Sequence, residues 1–205
     1  GIDMHPNTHL DPIRANIYSF LAALLVKPPS DDLLLKLELI GQSAFGRDRL
    51  DYAWRLLGSA SAKSSSLKLN DEYQNLFMKI GKGKLVPYGS WYLSGCHMGE
   101  AWLELRQDLK NMGIQLRSDV NESEDHVAGV CEVMALLCSK AVLIEFEDQR
   151  NFFHQHLNSW LPEFFTDLQM SPRACFYRAV GRLGEVFMEI ENFYFESEQN
   201  LEVSL

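Results

Sequence analysis

Every long apolar pattern in this chain recurs at three and four residues, which commits it to helices. Ile13, Ile17, Phe20, Leu21, Leu24 and Leu25 form one stripe, and Trp102, Leu105, Leu109 and Met112 form a second. Phe176, Val180, Leu183, Phe187 and Ile190 form a third. No stretch alternates apolar and polar residues across a β-branched run, and no Asn-Gly or Asp-Gly hairpin signal joins such runs. The expected fold is all-α, a helical bundle of about nine helices whose short connections make most neighbours antiparallel.

Local signals place the breaks. Asp11-Pro12 opens the first helix and Pro28-Pro29 closes it. Ser30 and Asp31 start a second, with Leu33, Leu34, Leu37 and Ile40 inward and Gly41 at its end. A third spans about residues 44–60 with Leu50, Trp54 and Leu57 inward, and the small polar run 59–66 reads as a surface loop. Asn70 or Asp71 can cap a fourth, which puts Tyr73, Leu76, Phe77 and Ile80 on one face before Gly81 and Gly83 end it. Pro87, Tyr88, Trp91 and Tyr92 then fall in an irregular loop, more aromatic surface than a connector needs.

The next helix spans about residues 98–112, with Gly113 as its stop. Residues 114–123 are polar and aperiodic, the expected hinge between an N-terminal part (1–113) and a C-terminal part (124–205). Beyond it Ser123 can cap a helix carrying Val127, Val130, Met134, Leu137 and Ala141. Helices at 144–157 and 162–170 follow, Ser171-Pro172 opens the last, and the polar tail from Glu196 should fray.

A net charge of −9 over 205 residues argues against a nucleic-acid binder, which needs a basic stripe to neutralise phosphates. Acidity suits a partner with cationic features, and equally serves solubility. No apolar run nears the ~18 residues that span a bilayer, and the start lacks a signal-peptide layout. Gly1-Ile2-Asp3 reads as a non-native remnant with Met4 the expected native start. Cys96, Cys131, Cys138 and Cys175 show neither CxxC nor zinc-ligand spacing, consistent with a reduced, cytoplasmic protein.

Sites for chemistry are few. Gly81-Lys82-Gly83-Lys84 lacks phosphate-loop spacing and follows a helix. His154 and His156 fall on different helix faces, and Cys96-His97 has no further ligands at a usable spacing. Asp125-His126 is the single carboxylate–histidine neighbour pair. At an early helix turn Asp125 suits the macrodipole without any further role. Glu122, Glu124 and Asp125 form an acidic cluster, either a solvated loop or a dock for guanidinium groups.

Three ordered blocks carry a resemblance. Glu72-Tyr73-x-x-Leu76-Phe77 with Pro87-Tyr88-x-Ser90-x-Tyr92 is the first. Glu122-x-Glu124-Asp125-His126 with Glu132-Val133-Met134-x-x-Leu137 is the second. Phe152-x-x-x-His156-Leu157-x-x-Trp160, with Phe164 and Phe176-Tyr177 after it, is the third. Together they resemble the TorD/DmsD/NarJ family of molybdoenzyme chaperones, the third block leaning towards the trimethylamine-oxide-reductase branch. One departure stands out: Met78-Lys79-Ile80 precede Gly81, where the family often has a glycine sooner.

The resemblance implies a non-catalytic cytoplasmic chaperone with neither cofactor nor metal. Its partner would be a molybdoenzyme precursor, met through its twin-arginine leader and apo form. Such a leader offers two cations and an apolar helix. The implied receptor is an aromatic wall of Tyr73, Leu76, Phe77, Pro87, Tyr88, Trp91 and Tyr92, with Ser90, beside Glu122, Glu124 and Asp125. His126 would add a hydrogen bond or a pH dependence, given an ordinary pKa near 6.5. That site requires the start of the helix after Ser123 to lie close to the loop 87–92. Self-association by exchange of the C-terminal helices is a further expectation. The alternatives are a helical adaptor for another amphipathic peptide, or a hydrolase using Asp125 and His126.

Overall fold

The computed structural model describes residues 10–115 and 122–203, with side chains as far as Ser197. Met4 and residues 116–121 of the expected hinge lie outside the described residues. The described chain is helical, and its one extended pairing is an isolated antiparallel bridge between Tyr88 and His126. No described helix is long and apolar enough to cross a membrane.

The helices pack into two compact units whose segments alternate along the sequence. Unit 1 runs up to Val26 and returns for Pro87–Trp160, while unit 2 holds Lys27–Val86 and the chain from Leu161 onward. None of these crossings falls in 114–123, so both sides of the expected hinge belong to unit 1. The reason is tertiary: α1 (Asp11–Val26) packs on α7 (Val127–Cys138), two helices with no sequence signal that they pair.

Unit 1 also contains α5 (Gly89–Ser94), α6 (Glu100–Asn111) and α8 (Phe146–Phe153), which runs on as a π-helical turn, His154–Asn158. Tyr18, Leu21 and Leu24 of α1 are buried, as are Val127, Cys131 and Met134 of α7. Asp11, Arg14 and Gln149 are buried too, and remain affordable because Arg14 is shared between the Asp11 carboxylate and the Gln149 amide oxygen, each at 2.9 Å. Gly113 stops α6 as expected, with φ +69 and its N–H on the Lys110 carbonyl at 3.0 Å.

Unit 2 contains α2 (Asp31–Gln42), α3 (Arg49–Ala62), α4 (Ser66–Tyr73) with a π-helical turn at Gln74–Met78, α9 (Leu161–Met170) and α10 (Phe176–Val203). Ser30 caps α2 as expected, accepting from Leu33 N–H at 3.2 Å. Gly41 does not end that helix. A Cβ there would lie 2.9 Å from Gly58 Cα, so the two glycines let α2 and α3 cross in backbone contact. The cap of α4 is Ser65, leaving Asn70 and Asp71 inside the helix. In α10 the buried stripe continues through Phe187, Glu191 and Phe195, while Ile190 is exposed.

Candidate peptide-binding site

The loop before α5 and the segment before α7 are stitched together within unit 1. Gly89 N–H donates to the Asp125 carbonyl and Val127 N–H to the Pro87 carbonyl, both at 2.9 Å, the two bonds of the Tyr88–His126 bridge. The Asp125 carboxylate is buried and accepts from Ser90 N–H at 2.9 Å through Oδ2, and from the Ser123 hydroxyl through Oδ1. The Tyr88 hydroxyl donates to Glu122, and the Tyr88 ring stands edge-on to His126 at 5.1 Å and to His97 at 5.6 Å. The aromatic loop and the acidic cluster, 35 residues apart at Ser90 and Asp125, therefore form one junction. Pro87–Tyr92 is also more ordered than an irregular loop, because Gly89–Ser94 is helical. Gly89 itself is demanded by packing: a Cβ there would sit 3.0 Å from the Trp160 indole nitrogen.

Asp125 and His126 are not a helix turn and not a catalytic dyad. The helix begins at Val127 with His126 as its cap, in place of Ser123. His126 Nδ1 accepts from Ala128 N–H at 3.0 Å, which requires that nitrogen to be unprotonated. Burial pushes the His126 pKa down to about 4, against the opposing pull of Glu122 and Asp125. The imidazole is thus neutral throughout the physiological range, and a pH dependence of binding near 6.5 is not expected of it. The Asp125 oxygens point to Ser90 and Ser123 rather than to the imidazole, so the hydrolase alternative loses its proton relay.

Glu124 has a different environment. Its carboxylate accepts from the Trp102 indole N–H at 2.8 Å and pairs with Arg106 at 3.4 Å. The Arg106 guanidinium lies over the Trp102 ring, 4.8 Å from its centroid. Tyr92 packs against buried Trp160 at 5.5 Å, whereas Trp91 is 48% exposed. Glu122, Glu124 and Tyr88 are half-buried, while Pro87, Ser90, Asp125 and His126 are buried. Ser90 Oγ is the one buried side-chain polar atom without a hydrogen-bond partner among the described residues.

The nitrate reductase delta subunit family model matches residues 47–166, more than half of the chain and both sides of this junction. The chain belongs to the TorD/DmsD/NarJ family. Among its relatives, a chaperone protein TorD from Shewanella pealeana is 25% identical over 93% of each chain. One from Vibrio vulnificus is 28% identical over 88% of this chain and 94% of its own. A candidate redox enzyme maturation protein from Archaeoglobus fulgidus, solved by crystallography, shares the fold with a TM-score of 0.57 at 19% identity, covering 86% of this chain and 94% of that one. The chain is accordingly a TorD-family chaperone of molybdoenzyme maturation and not an enzyme.

Within this TorD-family chain the first signature block does two separate jobs. Pro87, Tyr88, Ser90 and Tyr92 build the junction in unit 1. Glu72, Tyr73, Leu76 and Phe77 belong to unit 2, where Leu76 is fully buried and Tyr73 and Phe77 nearly so. Tyr73, Phe77 and Tyr177 form a ring cluster with centroids 4.9–6.0 Å apart. Tyr73, Leu76 and Phe77, expected in the wall, are core, as their helical spacing alone allows. Glu72 caps α10, whose first turn lies far along the chain. Sequence alone does not mark Trp102 and Arg106 as site residues. Trp102 fitted an inward stripe, yet its indole is turned to Glu124; an aromatic four residues before an arginine was the available signal.

Proposed function

We propose that the chain binds the twin-arginine leader of a molybdoenzyme precursor, trimethylamine-N-oxide reductase being the expected client. It holds the apo form in the cytoplasm until the cofactor is inserted. One observation carries the reading: half-buried Glu122 and Glu124 stand at a junction with the loop and helix that expose Trp91. Carboxylates suit guanidinium groups, and Trp91 and Leu93 leave apolar surface on α5 for the helix that follows them in a leader. Asp125 and His126 then act as positioning residues, because the Asp125 carboxylate holds Ser90 and Ser123 and His126 Nδ1 caps α7.

Calorimetric titration of a leader peptide tests the proposal. Wild type should bind it, and a folded Glu122→Gln/Trp91→Ala variant should bind at least tenfold more weakly, the scale of one charge-assisted bond. Unchanged affinity in that variant puts the leader elsewhere on the chaperone. Self-association by exchange of the C-terminal helices belongs to the same reading, and light scattering across concentration and pH tests it.

A further inference from the structure

The Glu124 carboxylate already holds a guanidinium, and that guanidinium is the chain's own. Glu124 takes the Trp102 indole N–H at 2.8 Å, which fixes the carboxylate against the edge of the ring. Arg106, one helical turn beyond Trp102 on α6, lays its guanidinium over the ring at 4.8 Å and reaches Glu124 at 3.4 Å. A carboxylate beside an aromatic face is a seat for a planar cation, because stacking and ion pairing act on different parts of the same group. Lysine, a compact and strongly hydrated charge, gains less from such a seat.

We propose that Arg106 is a built-in occupant of a guanidinium seat made by Glu124 and Trp102, and that an arginine of an incoming basic peptide displaces it. The reading deepens the function proposed above and rests on it. Displacement is easy on this geometry. The Arg106 side chain is 54% exposed and the pair is at 3.4 Å, so water and salt weaken its hold. A free Arg106 stays soluble on an exposed helix face, whereas an empty seat would leave Glu124 facing the indole without a cation. The self-contact therefore shields the seat between clients and raises the threshold for binding, which disfavours peptides that bring one weak cation instead of two adjacent arginines. Among the described residues, Arg106 is the cation paired with Glu124.

Calorimetric titrations of an Arg-Arg leader peptide and its Lys-Lys counterpart decide the matter. They are run on wild type, Arg106→Ala, Arg106→Gln, Glu124→Gln and the Arg106→Ala/Glu124→Gln double variant, each first shown to melt as wild type does. Gln at 124 keeps an acceptor for the indole N–H and removes only the charge. Either change at Arg106 should tighten the Arg-Arg peptide about three- to tenfold and the Lys-Lys peptide less. Glu124→Gln should weaken the Arg-Arg peptide and abolish the gain in the double variant. Binding to wild type with no gain in either Arg106 variant, or a gain that survives Glu124→Gln, overturns this proposal and leaves the leader reading intact. No binding of the Arg-Arg peptide to wild type or to Arg106→Ala overturns both.

Discussion

Glu72 holds the start of the last helix from 105 residues away: its Oε2 accepts Tyr177 N–H at 2.8 Å, and its Oε1 accepts Phe176 N–H at 3.0 Å. The first turn of a helix has orphan N–H groups and a partial positive charge, and a carboxylate satisfies both. The first signature block is therefore, in part, a clamp between α4 and α10 inside unit 2. Arg173 reinforces it by donating to the Asn75 carbonyl at 2.6 Å and the Lys79 carbonyl at 2.9 Å.

Glu72→Ala leaves two buried amides without acceptors and should cost about 1–3 kcal/mol of stability. Glu72→Gln, which keeps one acceptor, should cost less. Urea unfolding measures both, and leader affinity measured well below the transition should stay at the wild-type value.

Asp125→Ala should destabilise the chain by about 1–3 kcal/mol, because Ser90 N–H loses its buried acceptor. Its effect on leader binding should follow from loosening of the loop at Ser90. Affinity should therefore recover largely in Asp125→Asn, which restores an acceptor without the charge. Equal losses in the two variants would instead mean that the charge itself meets the ligand.

His126 makes stability pH-dependent on the acid side. Its folded pKa is about 4 and its ordinary unfolded value near 6.5, so the unfolded chain takes up the proton first as pH falls. The stability it contributes is complete above 6.5 and is lost as pH falls from there through about 4, up to about 3 kcal/mol on the scale of 1.36 kcal/mol per pKa unit. His126→Asn keeps an oxygen to cap α7 and removes the titration. Urea midpoints between pH 4 and 8 should accordingly fall less steeply in that variant than in wild type.

Gly58→Ala should be strongly unfavourable, by about 1–3 kcal/mol or more, although alanine is the better helix former. The new Cβ would meet Gly41 Cα at 2.8 Å, a backbone atom that cannot rotate away. Thermal unfolding of Gly58→Ala beside Gly95→Ala separates packing from backbone freedom: Gly95 has φ +68 and open space around it, so its cost is backbone strain alone.

The sequence by itself determined that the chain is helical, most of the buried stripes and some of the helix ends, because these depend on residues three or four positions apart and on caps beside them. Ile13, Ile80 and Ile190 of the expected stripes are exposed. Ser30 caps its helix and Gly113 stops another as their local chemistry dictates. The family was legible in the same way, from ordered blocks of residues. Long-range partners were not. Ser171-Pro172 looked like the start of the last helix, yet it starts at Phe176, where Glu72 supplies the cap. Tyr73, Leu76 and Phe77 had the spacing of either a core face or a binding wall, and burial in unit 2 decided for core. Asp125 and Glu124 are neighbouring carboxylates in one cluster, but the first is spent on Ser90 and Ser123 while the second faces Trp102 and Arg106. Spacing along a helix fixes which way a side chain leaves its own axis; what it meets there is set by elements far away in the chain, and only the tertiary structure brings those into reach.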